Sequence, residues 1–173
     1  MSKKTNPMIY EINRVAVPKD VPKINTDASY KNGVGSYCFM IRSEEGIYIE
    51  SASVPEEWLE EHSRSCELYG VIRALTYCMD HKFIQVGLFF DYIGIYNLMI
   101  ARPTDPAIYR RYADIMKGFT SNMDIYFHKV DGPDDYHELV DLVSRSNVKL
   151  RLGGNEIGKY KQLIQQGKAA NGK

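Results

Sequence analysis

The chain has 173 residues, of which 44% are apolar and 12% aromatic, so it can bury the core of one domain and is not a mainly disordered chain. Lys plus Arg and Asp plus Glu both number 22, which excludes the overall basic balance of many nucleic-acid binders. Any basic surface that contacts a ligand must therefore be local.

Targeting signals and cysteines indicate where the protein works. No apolar run approaches the roughly 18 residues of a membrane span, and the first residues lack the apolar stretch of a signal peptide. Cys38, Cys66 and Cys78 are an odd number without CxxC spacing, and each lies in an apolar run. We therefore expect reduced, mostly buried cysteines in a cytoplasmic protein that has no membrane partner.

The first third of the chain predicts an antiparallel meander. Residues 8–17 partly alternate and indicate a short additional strand before the prolines that follow. A strand is then predicted over 23–27, a turn at Lys31-Asn32-Gly33, and further strands over 35–42 and 47–53.

The rest of the chain predicts an alternation of helices and strands. Apolar residues recur at helical spacing in four segments and form compact runs in two others. In chain order these are a helix at about 65–81, a strand at 84–91, helices at 93–100 and 106–119, a strand at 123–130 and a helix at 134–146. Asp105 is the candidate N-cap of the helix predicted at 106–119, because Pro106 follows it in the first turn.

Four acidic residues occupy distinctive places in this order of elements. Asp27 ends an extended run and Asp91 ends an apolar strand, while Glu67 opens one helix and Asp141 lies inside another. Mg²⁺ prefers oxygen ligands, and carboxylates that share a site without a metal repel one another. The four acids therefore indicate a divalent-metal site, and the alternative is that they are helix caps and solvated surface groups.

The segments around these acids resemble type 1 ribonuclease H. The segments are Thr26-Asp27-Ala28-Ser29, Ser65-Cys66-Glu67-Leu68, Phe89-Phe90-Asp91 and His137-Glu138-Leu139-Val140-Asp141-Leu142. The resemblance covers about 22–146, and it leaves 1–21 as an N-terminal extension and 147–173 as a tail with a short helix near 157–166. It implies an RNase H-like α/β fold, in which a mixed five-stranded sheet is flanked by helices in the order βββαβααβα.

The resemblance also implies an activity. It suggests a metal-dependent endonuclease that hydrolyses the RNA strand of RNA/DNA hybrids and leaves 5′-phosphate and 3′-hydroxyl ends. Asp27 would bridge two Mg²⁺ ions, for which Mn²⁺ is a possible substitute. Asp141 would help hold the ion that activates water, and Glu67 and Asp91 would hold the ion beside the leaving oxygen.

Five further residues are implied as substrate contacts. Asn32 lies in the position of the family's glycine-rich turn, although Asn-Gly is equally typical of a tight hairpin. Ser29, Ser63 and Ser65 fall near positions that contact phosphate or sugar, although serine is also a common helix cap. Tyr92 follows Asp91 near the proposed cleft, where the family usually has a serine.

The chain departs from the family at the loop before the last helix, which in many members carries a histidine that assists proton transfer. Residues 130–133 contain no histidine. His137 lies one helical turn before Asp141, so it is the candidate catalytic replacement; the alternative is a partly exposed helical histidine.

Two other functions stay open at this point. The same fold and metal site suit a nuclease acting on DNA or structured RNA, and the chain could instead be a non-catalytic nucleic-acid-binding module. No separate hybrid-binding module is apparent at either end, so the enzyme would work alone at low processivity or rely on a polymerase or reverse transcriptase partner. The sequence does not predict an oligomeric state, and a monomer is the default.

Overall fold

The computed structural model describes residues 16–131, 134–144 and 149–152, which form one mixed sheet with helices on both faces. The strands are Lys23–Lys31 (β1), Val34–Ser43 (β2), Gly46–Ser53 (β3), Gln85–Phe90 (β4), Asp124–Lys129 (β5) and Lys149–Leu152 (β6). The helices are Ser63–Asp80 (α1), Gly94–Asn97 (α2), Ala107–Asn122 (α3) and Asp135–Val143 (α4), and a 3₁₀ turn spans Glu56–Trp58.

The sheet has the strand order β5-β4-β1-β2-β3-β6. Strands β1, β2 and β3 form the antiparallel meander, while β4 runs parallel to β1 and β5 runs parallel to β4. Parallel neighbours require crossover connections, and α1 and α3 supply them. The predicted mixed five-stranded sheet flanked by helices is confirmed.

The hairpin between β1 and β2 forms at the predicted Asn-Gly pair. Asn32 has φ 54° and Gly33 has φ 78°. Positive φ at both central residues is what a two-residue turn needs to match the twist of its strands, and Asn followed by Gly adopts it readily. This turn sets the register in which Asp27 lies opposite Cys38.

Strand β6 differs from the prediction, which assigned these residues to the tail. It pairs antiparallel with β3, and Arg151 anchors it by donating a 2.6 Å hydrogen bond to the hydroxyl of Tyr77. Four residues are too few to show an alternating pattern, so the sequence carried no signal for this strand. The predicted helix near 157–166 and residues 8–15 of the predicted first strand lie outside the described residues, and residues 16–17 belong to no strand.

The predicted N-cap role of Asp105 is wrong. Its carboxylate accepts a 2.6 Å hydrogen bond from the backbone N–H of Arg102 and so closes the preceding turn. Helix α3 begins after Pro106 without a side-chain cap. Helix α2 is also shorter than the predicted 93–100, because it is a single turn.

The two faces of the sheet bury different cores. The larger core lies under α1 and α3 and includes Ile24 and Phe39, and the smaller one lies under α4 and includes Cys38, Met40 and Val140. Side chains alternate along a strand and directly paired residues share a face. Asp27 therefore points toward α4, as its partner Cys38 does.

Two further features bear on the predictions from composition, namely the cysteines and the character of the helices. All three cysteines are free and buried, as predicted. Within the described ranges, none of the helices combines the length and the apolar character that crossing a bilayer needs.

Candidate cation site

The site begins where β4 ends beside β1. The last residue pair between these parallel strands joins Asn25 to Phe89. Two residues further along each strand come Asp27 and Asp91, so the two acids leave the sheet at the same level. Asp27 and Asp91 are far apart in the sequence, and only the parallel pairing of β1 with β4 makes them neighbours.

Helix α1 brings Glu67 to the same place. A Cβ added to Gly70 would lie 3.7 Å from the carbonyl oxygen of Asp27 and 3.3 Å from Cβ of Tyr37, so the glycine lets α1 approach the backbone of β1 closely. Glu67 lies one turn before Gly70. Its carboxylate interacts with those of both Asp27 and Asp91.

Helix α4 supplies the fourth acid. Its start is fixed by Asp134, whose side chain accepts hydrogen bonds from the backbone N–H groups of Tyr136 (2.8 Å) and His137 (2.9 Å). Val140 packs under the helix in the smaller core, and the adjacent Asp141 interacts by hydrogen bonding with Asp27. The four predicted acids are thus linked in pairs, Asp141 with Asp27, Asp27 with Glu67, and Glu67 with Asp91.

Asp27 is the central member of this group, which we call the carboxylate cluster. Only 8% of Asp27 is exposed, and its Oδ1 accepts a 2.9 Å hydrogen bond from the backbone N–H of Ala28. Burial, and then the hydrogen bond with Asp141, raises the pKa of Asp27 to about 7.

Glu67 is the least satisfied member of the cluster. Its Oε2 is buried and has no hydrogen-bond partner among the described residues. Burial, followed by the charge of Asp27, raises the pKa of Glu67 well above its usual range. A buried carboxylate oxygen without a donor is costly, and a bound cation would remove that cost.

Asp91 and Asp141 are exposed, and Asp91 has a cationic neighbour that sequence reasoning missed. Nζ of Lys129 lies 3.5 Å from Oδ1 of Asp91 and 3.3 Å from Oδ1 of Asp131. Lys129 is paired with Phe90 across β4 and β5, which places it next to the cluster. Only the register of two distant strands reveals this position.

The carboxylate oxygens suit a hard divalent cation such as Mg²⁺ in type and in number. As they stand, no three acidic, histidine or cysteine side chains of the described residues surround a common point closely enough to ligate one ion. The contacts among the acids are pairwise. Ligation therefore requires side-chain rotation, which the exposed Asp91 and Asp141 can undergo at little cost.

The candidate catalytic histidine has an unusual environment. His137 is partly buried on α4, one turn before Asp141, and its Nδ1 is buried without a hydrogen-bond partner among the described residues. Its role in proton transfer stays a prediction.

The five residues proposed as substrate contacts differ in accessibility. Asn32 and Ser63 are exposed, and the half-buried Ser29 shares a 2.7 Å hydrogen bond with Ser36. Ser65 is fully buried, and its hydroxyl accepts from the N–H of Glu61 and donates to the carbonyl of His62. In this position Ser65 serves the start of α1 and presents no atom to a ligand.

Tyr92 is half-buried beside the cluster. Burial, and then its neighbour Tyr109, raises the pKa of Tyr92, and the charges of Arg64 and Glu67 also act on it. The phenol therefore lies within electrostatic reach of Glu67, and its contact with a substrate stays a prediction.

Comparison with known proteins identifies the fold. RNase H1 from the halophilic archaeon Halobacterium salinarum NRC-1 is 15% identical and covers 73% of this chain and 96% of its own, with a TM-score of 0.53. LC11-RNase H1, isolated from compost by a metagenomic approach, is 19% identical and covers 75% and 96%, with a TM-score of 0.54. The same enzyme in complex with RNA/DNA hybrid covers 73% and 96% at 19% identity, with a TM-score of 0.51.

No family model matches the sequence, and no curated protein matches it. The structural matches show that the chain has an RNase H-like fold, as the sequence resemblance predicted.

Proposed function

We propose that this chain is a metal-dependent nuclease that hydrolyses the RNA strand of RNA/DNA hybrids. The observation that carries the proposal is the grouping of four carboxylates from β1, the end of β4, α1 and α4. Two of them, Asp27 and Glu67, are buried without a compensating cation among the described residues. A solved structure of the same fold bound to RNA/DNA hybrid supports the choice of substrate.

The cluster suggests how the acids divide the work. Asp27 interacts with both Asp141 and Glu67, so it would help to hold both ions. Glu67 and Asp91 would complete one position and Asp141 the other. Two Mg²⁺ ions, or Mn²⁺ in their place, would supply a nucleophilic water and stabilise the leaving 3′-oxygen.

The remaining residues would orient the substrate and move protons. Asn32 and Ser63 offer exposed polar groups, and Tyr92 lies beside Glu67, close to where a 2′-hydroxyl that identifies RNA would be read. His137 would transfer a proton near Asp141. The three buried free cysteines fit a reducing, cytoplasmic compartment, and a polymerase or reverse transcriptase remains the proposed partner.

The test is cleavage of four matched substrates with Mg²⁺ or Mn²⁺: RNA/DNA hybrid, double-stranded RNA, single-stranded RNA and duplex DNA. Asp27→Asn and Asp91→Asn are the test variants, and Asp114→Asn, an exposed acid on α3, is the matched control. Cleavage of hybrid alone, lost in both test variants and kept in the control, supports the proposal.

Other outcomes assign other functions. Cleavage of DNA or of RNA alone, with the same dependence on Asp27 and Asp91, means a nuclease of this fold with another substrate. Binding of nucleic acid without cleavage under either metal means a non-catalytic binding module.

A further inference from the structure

A cavity of about 650 Å³ opens at the beginning of β1, away from the carboxylate cluster. Four residues separate Lys23, at its wall, from Asp27, which is a distance of roughly 13 Å along an extended strand. The residues that line the cavity are Lys19, Asp20, Val21, Lys23, Arg42, Ser43 and Glu44. The nuclease mechanism uses none of them.

Two like charges lie side by side on the wall of this cavity. Lys23 and Arg42 are direct partners across β1 and β2. Like charges in directly opposed positions destabilise a sheet. Burial, and then the charge of Arg42, lowers the pKa of Lys23. A bound anion would remove this repulsion.

Arg42 is held in place for such an anion. Its guanidinium carbon lies 3.6 Å from the ring centroid of Tyr136, and its Nη2 donates a 3.4 Å hydrogen bond to Oδ1 of Asn25. Its Nε is buried without a hydrogen-bond partner among the described residues. Stacking and the amide contact fix the planar group, while a strong donor is left unused.

Lys23 and Ser43 have hydrogen-bonding capacity left over. Nζ of Lys23 donates to the carbonyls of Lys19 and Val21, both at 3.1 Å, which uses two of its three donors. Oγ of Ser43 accepts from the backbone N–H of Glu45 at 3.3 Å, so its own proton is not used in that bond.

Acidic groups near the cavity do not neutralise its centre. Asp20 and Glu44 line it, and the charge of Asp134 reaches Arg42. Within the described ranges neither Lys23 nor Arg42 lies within ion-pair distance of a carboxylate. Three basic side chains line the cavity against two acidic ones.

We propose that this cavity binds the phosphate group of a small phosphate monoester such as a nucleotide. A guanidinium fork suits a phosphate in shape and charge, and the lysine ammonium adds a second charge. The cavity is open to solvent on one side, so a phosphate could sit against Lys23 and Arg42 while the organic part of the ligand lies along the rest of the cavity. Because Arg42 stacks on Tyr136 of α4, an occupant would also steady the helix that carries Asp141.

The test is isothermal titration of the full chain in EDTA, so that no metal-dependent binding at the carboxylate cluster contributes. The probes are 5′-AMP, inorganic phosphate and adenosine. We expect saturable binding of 5′-AMP, weaker binding of phosphate and none of adenosine. Lys23→Met and Arg42→Lys should each weaken 5′-AMP binding by about tenfold or more, because the first removes a charged donor and the second removes the planar fork that suits a phosphate.

Two control variants separate this site from the rest of the molecule. Lys117→Met, on the exposed surface of α3, and Asp27→Asn, in the carboxylate cluster, should bind 5′-AMP as the unaltered chain does. The Asp27→Asn control keeps a failure here distinct from a failure of the nuclease proposal, because neither readout depends on the other.

Amide chemical shifts of the unaltered protein locate the ligand even if a variant does not fold. Shifts centred on Lys23, Arg42 and Ser43 support the proposal. It is overturned by the absence of saturable 5′-AMP binding, by equal binding of adenosine, or by shifts centred elsewhere.

Discussion

Two buried carboxylates in the same sheet, Glu50 on β3 and Asp27 on β1, have opposite surroundings. Glu50 is 3% exposed and accepts hydrogen bonds from the hydroxyls of Tyr37 (2.7 Å) and Tyr48 (2.9 Å), with Nη2 of Arg73 at 3.5 Å. Asp27 is 8% exposed, and apart from the N–H of Ala28 its neighbours in the cluster are other acids.

The difference separates a structural carboxylate from a functional one. The partners of Glu50 compensate its desolvation within the protein, so the group stabilises the fold without help. Asp27 is compensated only by holding a proton or by a cation from solution. Burial alone therefore does not mark the site; burial beside other acids, with one backbone donor and no cationic partner among the described residues, does.

The largest expected effect is the loss of activity in Asp27→Asn. Hybrid cleavage should fall by about 10²–10³-fold or more, since removing one group that stabilises developing charge commonly costs about 10²–10³. The melting temperature in EDTA should not fall, because the neutral amide avoids burying a charge. A variant that is active, or one that is inactive because it has unfolded, would break the contrast with Glu50.

Glu50→Ala should show the reverse pattern. Loss of the acceptor leaves the Tyr37 hydroxyl buried without a partner, so we expect a destabilisation of about 2–4 kcal/mol. The loss should be the same with and without Mg²⁺ in denaturant titrations. Glu45→Ala, an exposed acid in the turn before β3, is the matched control, and a metal-dependent effect at Glu50 would contradict its structural assignment.

The pH dependence of stability sharpens the comparison. An aspartate whose pKa is raised to about 7 stays protonated in the folded chain while the unfolded chain ionises near pH 4. The folded state then binds more protons, so metal-free stability should decrease as pH rises from about 4 to about 7 and change little above that.

The size of this decrease should be on the order of a few kcal/mol, since each unit of pKa difference corresponds to about 1.4 kcal/mol. Denaturant titrations in EDTA measure it. Saturating Mg²⁺ should remove most of the decrease, because the metal favours the ionised carboxylates, and Asp27→Asn should flatten it. A pH profile that Asp27→Asn leaves unchanged would show that another group is responsible.

The smallest expected effect is that of Ser65→Ala. Removing a buried hydroxyl that hydrogen-bonds to the backbone of Glu61 and His62 should cost about 1 kcal/mol of stability. Cleavage by Ser65→Ala should be unchanged under conditions where the variant is folded. Ser63→Ala is the parallel test of the exposed serine in the same helical turn. A loss of cleavage in folded Ser65→Ala would show that Ser65 contacts the substrate, contrary to what its burial indicates.

Sequence patterns could predict the features that depend on local residue order. The Asn32-Gly33 turn and the meander around it have local signals, and the structure has both, although β1 runs on to Lys31 and so places Asp27 within the strand and not at its end. The acids could be grouped because the resemblance to a known fold supplied the register between β1 and β4.

Features that depend on long-range register could not be predicted. Strand β6 is short and pairs with β3 about 100 residues earlier in the chain, and Lys129 reaches Asp91 only through the pairing of β4 with β5. The Lys23–Arg42 pair likewise requires the register of β1 with β2. Asp105 shows a different problem, because a carboxylate before a proline can close a turn as readily as it can cap a helix.

The most direct test of the central claim is diffraction from crystals soaked in Mn²⁺, with anomalous scattering used to locate the ions. The account predicts anomalous density between Asp27, Glu67, Asp91 and Asp141. Oε2 of Glu67, which has no partner among the described residues, should then contact an ion. The density should be absent in Asp27→Asn. Well-occupied Mn²⁺ elsewhere, with the carboxylate cluster empty, would contradict it.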